Sequence, residues 1–227
     1  MTFVTSDLHG YPLDRFVQLL EKAGFTRQDH LYVLGDVIDR GDEGIALLRW
    51  MFAQPNVTFL MGNHEAMMLE SAPFLSGTPE EASVRQYQVY RTWKSNGAAP
   101  TLFALSTMPH AQVAYLLKNL ENAPLYKEIA VGEKRYVLTH SGLGNFDKDK
   151  PLEEYTASEL LWTRPNPLTR YYDDRTVIFG HTPTVCYGPE HLGRPVYTPT
   201  WINIDVGVAK GEAPMVMRLE DEKTVFA

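Results

Sequence analysis

Asp36, Asp39 and Arg40 crowd into the stretch Gly35-Asp36-Val37-Ile38-Asp39-Arg40-Gly41, directly after the apolar run 31–34. A loop that only had to turn could use Gly, Asn or Pro. Carboxylates and a guanidinium in that place suggest ligand chemistry instead. The same design recurs along the chain. The strand-like run 2–6 leads into Asp7-Leu8-His9-Gly10, and 57–61 into Gly62-Asn63-His64-Glu65. The run 136–139 ends at Thr139-His140-Ser141-Gly142, and 176–179 at Gly180-His181-Thr182-Pro183.

If those five loops converge, they deliver two or three carboxylates, four histidines, an amide and an arginine. Hard and borderline divalent metals take carboxylate oxygens and imidazole nitrogens and need no thiolate. Two such metals, about 3.5–4 Å apart, can share one bridging carboxylate, an arrangement suited to cleaving phosphate esters. Arg40 offers a planar fork for a phosphoryl group. The neighbouring glycines let backbone approach a metal closely.

The elements that would position these residues are legible from periodicity. Residues 11–25 carry Leu13, Phe16, Val17 and Leu20 at helical spacing with Gly24 as a stop, and 43–52 is again helical. Strand-like runs at 2–7, 30–36 and 56–61 alternate with them, the pattern of a parallel or mixed sheet with helices packed on it. In open α/β sheets ligands bind at the carboxyl ends of the strands, where all five loops fall.

Residues 66–124 differ, with a turn-rich stretch and helix-like runs around 80–95 and 110–121. With no Ser/Gly linker or charge block, they read as a helical insertion in a single domain, 1–227. From Pro124 the chain turns β-rich. LYKEIAV and KRYVLTH flank a Gly-Glu turn as a hairpin, and 175–181, 194–207 and 213–220 follow.

Composition narrows the function classes. A net charge of −7 argues against general binding of nucleic acid or anionic membrane, which needs clustered Lys and Arg. The single cysteine, Cys186, excludes an internal disulfide and fits a reducing compartment. The N-terminus shows no signal peptide, and no apolar run reaches membrane-spanning length, so a cytoplasmic protein is expected.

Taken in order, Asp7-x-His9-Gly10, Gly35-Asp36-Val37-Ile38-Asp39-Arg40-Gly41, Gly62-Asn63-His64-Glu65, His140-Ser141-Gly142 and Gly180-His181-Thr182-Pro183 resemble the phosphoprotein phosphatase branch of the calcineurin-like metallophosphatases. The short length resembles the bacterial and bacteriophage lambda phosphatases, and also the bacterial diadenosine tetraphosphatases. Each motif alone is weak, and the five in order are specific. The resemblance implies an α/β sandwich, two mixed β-sheets packed together with helices outside and a metal site at one edge. It implies that Asp7 and His9 hold one metal, that Asp36 bridges both, and that Asn63, His140 and His181 complete the second. His64 would protonate the leaving oxygen, oriented by Asp39, while Arg40 and Arg164 hold phosphate. The implied cofactors are two divalent ions, manganese being the commonly active one, with iron, zinc or cobalt suited to the same ligands. Ser141 and Val206 depart from the family's commoner residues, and neither is an implied ligand.

The bland alternatives are helix capping for Asp7, an ordinary helix start at His64-Glu65, and a surface role for Arg164 before Pro165. His30, His110 and His191 read as structural or surface residues, and Cys186 as a small packed hydrophobe. Met67, Met68 and Leu69 read as core, Glu80-Glu81 as the start of a solvated helix, and Asp173-Asp174 as a turn. Trp93-Lys94-Ser95-Asn96-Gly97 is similar to a W-x-x-N-G segment of bacterial relatives, which would place it at the pocket rim with Asn96 touching substrate. The leading expectation is a metal-dependent serine/threonine protein phosphatase using hydroxide for direct in-line attack on a phosphorylated protein or peptide. The alternative is hydrolysis of diadenosine tetraphosphate, a nucleotide polyphosphate. Asp39 favours the first, because the tetraphosphatases resembled tend to lack an aspartate before their Arg-Gly. A binding-only fold would have lost a ligand or the acid, and none is lost.

Overall fold

A computed structural model describes residues 1–227. Two five-stranded mixed sheets stack face to face. The first has the order β10-β9-β1-β2-β3, with β1 (Thr2–Thr5), β2 (His30–Val33), β3 (Val57–Phe59), β9 (Met215–Arg218) and β10 (Lys223–Phe226). The β1, β2 and β3 strands are parallel, and β9 pairs antiparallel with both β1 and β10. The second has the order β4-β5-β6-β8-β7, built from β4 (Tyr126–Val131), β5 (Lys134–Thr139), β6 (Thr176–Phe179), β7 (Val196–Tyr197) and β8 (Trp201–Asn203). The β4–β5 hairpin turns at Gly132-Glu133 as read from sequence.

Central parallel strands are covered on both faces and therefore read as continuous apolar runs. In β1 both Phe3 and Val4 are buried, pointing to opposite sides. Val4, Leu34 and Leu60 meet Tyr136, Leu138, Ile178 and Ile202 between the sheets. Each such side chain, fully buried, contributes roughly 1.5–3 kcal/mol, and this shared layer holds the sheets together.

Phe3, Leu31 and Val33 face outward into a helical layer. There α1 (Leu13–Lys22) buries Phe16, Leu19 and Leu20 on one face and ends before Gly24, whose φ of +77° is a left-handed helix stop. Ile45, Leu47, Leu48 and Met51 do the same for α2 (Gly44–Ala53). The helices α3 (Asn63–Glu70), α5 (Val84–Ser95), α6 (Ala99–Ser106) and α7 (His110–Glu121) join this core through Met67, Met68, Trp93, Leu105 and Leu116, and the short α4 (Ala72–Leu75) packs against it through the half-buried Leu75. The outer face of the second sheet is covered by irregular chain and a short α8 (Ala157–Leu161). No helix is long and apolar enough to cross a membrane.

Several details differ from expectation. Glu80-Glu81 closes a 3₁₀ turn, and the helix starts later at Val84, where Ser83 and Gln86 form a capping box. The helix α6 and the edge strand β10 were not legible from the sequence. Cys186 is exposed in the 3₁₀ turn Thr184–Tyr187, not packed as a small hydrophobe, because that turn points Thr184 inward in its place. His30 bonds Thr58, His191 lies beside Glu190 and His110 opens α7, all outside the loop cluster.

Candidate metal centre

Five loops leave the carboxyl ends of β1, β2, β3, β5 and β6 at the same edge of the sandwich. They bring Asp7, His9, Asp36, Asp39, Asn63, His64, His140 and His181 together, every one of them buried. The loops touch through glycine: a Cβ on Gly35 would collide with the Gly62 backbone, so the Asp36 and Asn63 loops meet only because neither residue has a side chain. That contact places the Asp36 carboxylate under the start of α3, where Oδ1 accepts the His64 backbone N–H at 3.0 Å.

Lone pairs converge in two groups. In the first, His9 Nδ1 donates to the Ile38 carbonyl at 3.1 Å, which leaves Nε2 as an acceptor. That nitrogen lies 4.0 Å from Asp7 and 3.9 Å from Asp36, and the Arg40 guanidinium is turned onto it at 2.7 Å. In the second, His140 Nδ1 donates to the Leu34 carbonyl at 2.7 Å, so its Nε2 also carries a lone pair. Asn63 Oδ1 at 2.8 Å and Asp36 Oδ1 at 3.4 Å face it, neither of them able to donate. Asn63 Oδ1 is also 2.8 Å from His181 Nδ1, while His181 Nε2 is a buried nitrogen with no hydrogen-bond partner.

Buried acceptors aimed at one another are costly unless a cation lies among them. The sets His9, Asp36, His64 and Asp36, His140, His181 each hold atoms close enough for one ion. Oxygen and imidazole donors with Asp36 common to both sets fit a pair of divalent metals.

Electrostatics agree with that assignment. Burial pushes the His9 imidazole down to about 3 and His181 to about 2, and lowers His140, so all three are shifted toward the neutral form that a metal ligand needs. Burial raises Asp7, and its neighbours Asp205 and Asp36 raise it further. Burial also opposes ionisation of Asp36, yet the surrounding histidines hold its carboxyl well below the usual range. Of those histidines only His64 is shifted upward: burial opposes its charge, but Asp36 and Asp39 outweigh burial and lift it above its ordinary value.

His64 and Asp39 form a pair, Nδ1 to Oδ2 at 2.6 Å. The pair adjoins a cavity of about 340 Å³ lined by His64, Arg40, Arg164, Trp162, Asp205 and Lys210, among others. Arg164 reaches this wall from its own segment and donates to the His181 carbonyl and Thr182 Oγ1 at 3.3 and 3.2 Å. Asn96 also lines the cavity, although its amide N–H₂ is committed to the Thr92 carbonyl at 2.8 Å.

Three supporting residues were not singled out from the sequence. Glu65 is fully buried and accepts the backbone N–H groups of Asp36, Val37 and Ile38 at 2.9, 2.8 and 3.1 Å, which fixes the Asp36 loop. Its position inside the Asn63-His64-Glu65 motif was the available signal. Asp205 faces the cavity, its carboxyl pushed up to about 7 by burial. Thr101 bonds Asp39 and gave no sequence signal. Trp93 is a correction: it is fully buried and lies beneath the site, not at the rim, because its indole N–H bonds Asp39.

Comparison with known proteins places this geometry. The calcineurin-like phosphoesterase family profile matches residues 2–206. Serine/threonine-protein phosphatase 2 of Escherichia coli (strain K12) is 30% identical over 166 residues, 70% of this chain and 66% of that protein. The chain thus spans just under two thirds of that relative's length. A symmetrical bis(5'-nucleosyl)-tetraphosphatase of Photobacterium profundum is 36% identical, covering 97% of this chain and 94% of that protein. The fold also matches a crystal structure of a candidate diadenosine tetraphosphatase with a TM-score of 0.69 at 17% identity, over 100% of this chain and 92% of that one. With the family profile running through all five loops of the candidate site, the chain belongs to the calcineurin-like phosphoesterases.

Proposed function

We propose that this metallophosphoesterase hydrolyses phosphoserine and phosphothreonine esters in proteins or peptides. The observation that carries the reading is the buried His64–Asp39 pair beside the cavity. A serine or threonine ester expels an alkoxide, a strong base that needs a proton as it leaves. A dinucleoside tetraphosphate expels a nucleotide phosphate, a far weaker base that needs little help. A protonated imidazole held by a carboxylate is the tool for the first task.

Asp7, His9 and Asp36 would hold one divalent cation, and Asp36, Asn63, His140 and His181 the other. Manganese is the proposed pair. When bound, such cations supply Lewis acidity to the phosphoryl group and acidify water near neutral pH. The chain's own groups do the rest. Arg40 and Arg164 grip phosphoryl oxygens and offset the charge that develops there. His64 delivers its proton to the leaving oxygen, and Asp39 fixes which ring nitrogen carries it. Residues 66–124 act as an insertion within a single domain. Asn96 is the cavity's contact with that insertion and brings no aromatic ring to it, so a base-stacking site there has no support.

The second reading, hydrolysis of diadenosine tetraphosphate, is favoured by the near full-length likeness to the Photobacterium protein. Comparison of kcat/KM for a phosphothreonine peptide and for diadenosine tetraphosphate on one manganese-loaded preparation, with Asp36→Asn as control, decides between them. A large preference for the peptide is expected. A large preference for the dinucleotide refutes the assignment and makes the exposed Trp162 at the cavity the place to look for base stacking.

A further inference from the structure

Asp39 receives more hydrogen bonds than its partnership with His64 requires. Its Oδ2 accepts from His64 Nδ1 at 2.6 Å and from the indole N–H of Trp93 at 2.7 Å. Its Oδ1 accepts from the Thr101 hydroxyl at 2.6 Å, and the Thr101 oxygen in turn accepts the Asp39 backbone N–H at 3.0 Å. All of these groups are buried. Three donors on two oxygens, one of them a rigid indole wedged in the core, leave the carboxylate a single orientation.

The backbone beneath is strained. Asp39 and Arg40 both take left-handed φ angles, +71° and +69°, which side-chain-bearing residues adopt rarely and only where neighbours hold them. The Gly97 carbonyl supplies such a hold, accepting the Arg40 N–H at 2.9 Å. Gly97 itself has φ +98°, and a Cβ there would stand 2.8 Å from Arg40 Cγ. Trp93, Gly97 and Thr101 all come from one stretch, the junction of α5 and α6.

We propose that this junction, residues 93–101, is the device that aims the proton donor: Trp93 and Thr101 are positioning residues that act on His64 through Asp39, while Gly97 holds Arg40 beside it. The inference rests on the reading of His64 as proton donor to an alkoxide, and it gives the α5–α6 part of the helical insertion a task. An imidazole tilted away from the leaving oxygen still permits attack at phosphorus, but it fails to protonate. The damage therefore scales with the basicity of the leaving group. A merely structural role would lower all substrates alike.

The test uses manganese-loaded full-length protein and two aryl phosphates, phenyl phosphate with a strongly basic leaving group and 2,4-dinitrophenyl phosphate with a weakly basic one. Thr101→Val, isosteric but without the hydroxyl, is expected to lower kcat for phenyl phosphate about tenfold, within the range general acids supply, and to change kcat for the dinitrophenyl ester less than about twofold. Thr101→Ser restores the hydroxyl and is expected to bring phenyl phosphate back to within about twofold of wild type. Trp93→Phe should repeat the valine pattern, and if that variant does not fold, the threonine pair decides. Equal losses on both substrates, no loss at all, or loss of bound manganese from Thr101→Val would each overturn the proposal. His64→Asn separates the levels. If His64→Asn itself shows no dependence on leaving group, the proton-donor reading falls and takes this inference with it. If His64→Asn discriminates and the Thr101 and Trp93 variants do not, only the positioning role falls.

Discussion

Asp205→Asn should stabilise the metal-free protein, and by an amount that grows with pH. Asp205 is 3% exposed, lines the cavity at the candidate metal centre, and has its carboxyl pushed from 3.8 up to about 7. Burial is the main cause, with Asp36 adding repulsion. A folded-state pKa above the unfolded one means that the fold holds the proton longer. The stability linked to this group is complete below pH 3.8 and is lost as pH rises through 7. The loss amounts to about 2 kcal/mol at pH 5 and about 4 kcal/mol at pH 8. Asparagine never ionises, and its carbonyl can still accept the Gly207 N–H now held by Oδ1 at 3.1 Å. The variant's advantage over wild type should therefore widen by roughly 2–3 kcal/mol between pH 5 and 8, or about 5–10 °C in Tm for a chain of this size.

Thermal unfolding of chelator-treated wild type and variant at both pH values measures that difference. Groups that do not interact with Asp205 cancel, because both proteins contain them, while Asp7, which Asp205 raises, is relieved in the variant and shifts the difference in the same direction. An advantage that stays flat with pH, or a variant less stable than wild type at pH 8, refutes the reasoning. In manganese-loaded protein the advantage should shrink or reverse, since a cation beside Asp205 favours the ionised carboxylate that asparagine removes.

Other outcomes follow from the same geometry. Chelation should abolish hydrolysis of p-nitrophenyl phosphate and manganese restore it, while His181→Ala should lower bound metal from two ions to about one by elemental analysis. Glu65→Ala leaves three buried backbone N–H groups without an acceptor and should cost roughly 3–5 kcal/mol in denaturant unfolding; an unchanged midpoint would mean that the Asp36 loop holds itself. Gly97→Ala must displace Arg40 and strain φ +98°, so KM for phosphoesters should rise several-fold, about threefold or more, with metal content unchanged.

The sequence made the candidate site legible because each proposed ligand follows an apolar run and sits at a strand end, a relation that is local in the chain. Asp36 and His64 could be read from the residues on either side of them. Trp93 and Thr101 could not. Their partner Asp39 lies 54 and 62 residues away, and nothing in Trp93-Lys94-Ser95 distinguishes an indole at a rim from one buried under a carboxylate. Edge strand β10 was missed for a related reason. It carries Lys223 exposed and its other residues only half-buried, so it shows neither the continuous apolar run of β1 nor a clean alternation. Its place is set by pairing with β9 across a tight turn.

Backbone strain joins the legible and illegible parts. Eight residues other than glycine have positive φ, and six of them are Asp7, His9, Asp36, Asp39, Arg40 and His181. Each such conformation costs on the order of 1–3 kcal/mol and persists only when its surroundings overdetermine it. Those surroundings are identifiable here. Glu65 clamps the Asp36 loop, the Asp7 carboxylate accepts the His181 N–H, and the Asp39–Arg40 turn is tied to Thr101 and Gly97. Asp7, His9, Asp36 and His181 could sit in relaxed loops and still be the right residue types for metal. They would not then present their lone pairs to a common centre. Strand ends decide which residues arrive at the edge of the sandwich, and long-range hydrogen bonds from α3 and the α5–α6 junction decide where their atoms point. A relative that kept the ligand motifs but lost Glu65 or Thr101 should therefore retain the fold and bind metal less tightly or protonate poorly, according to which support is gone.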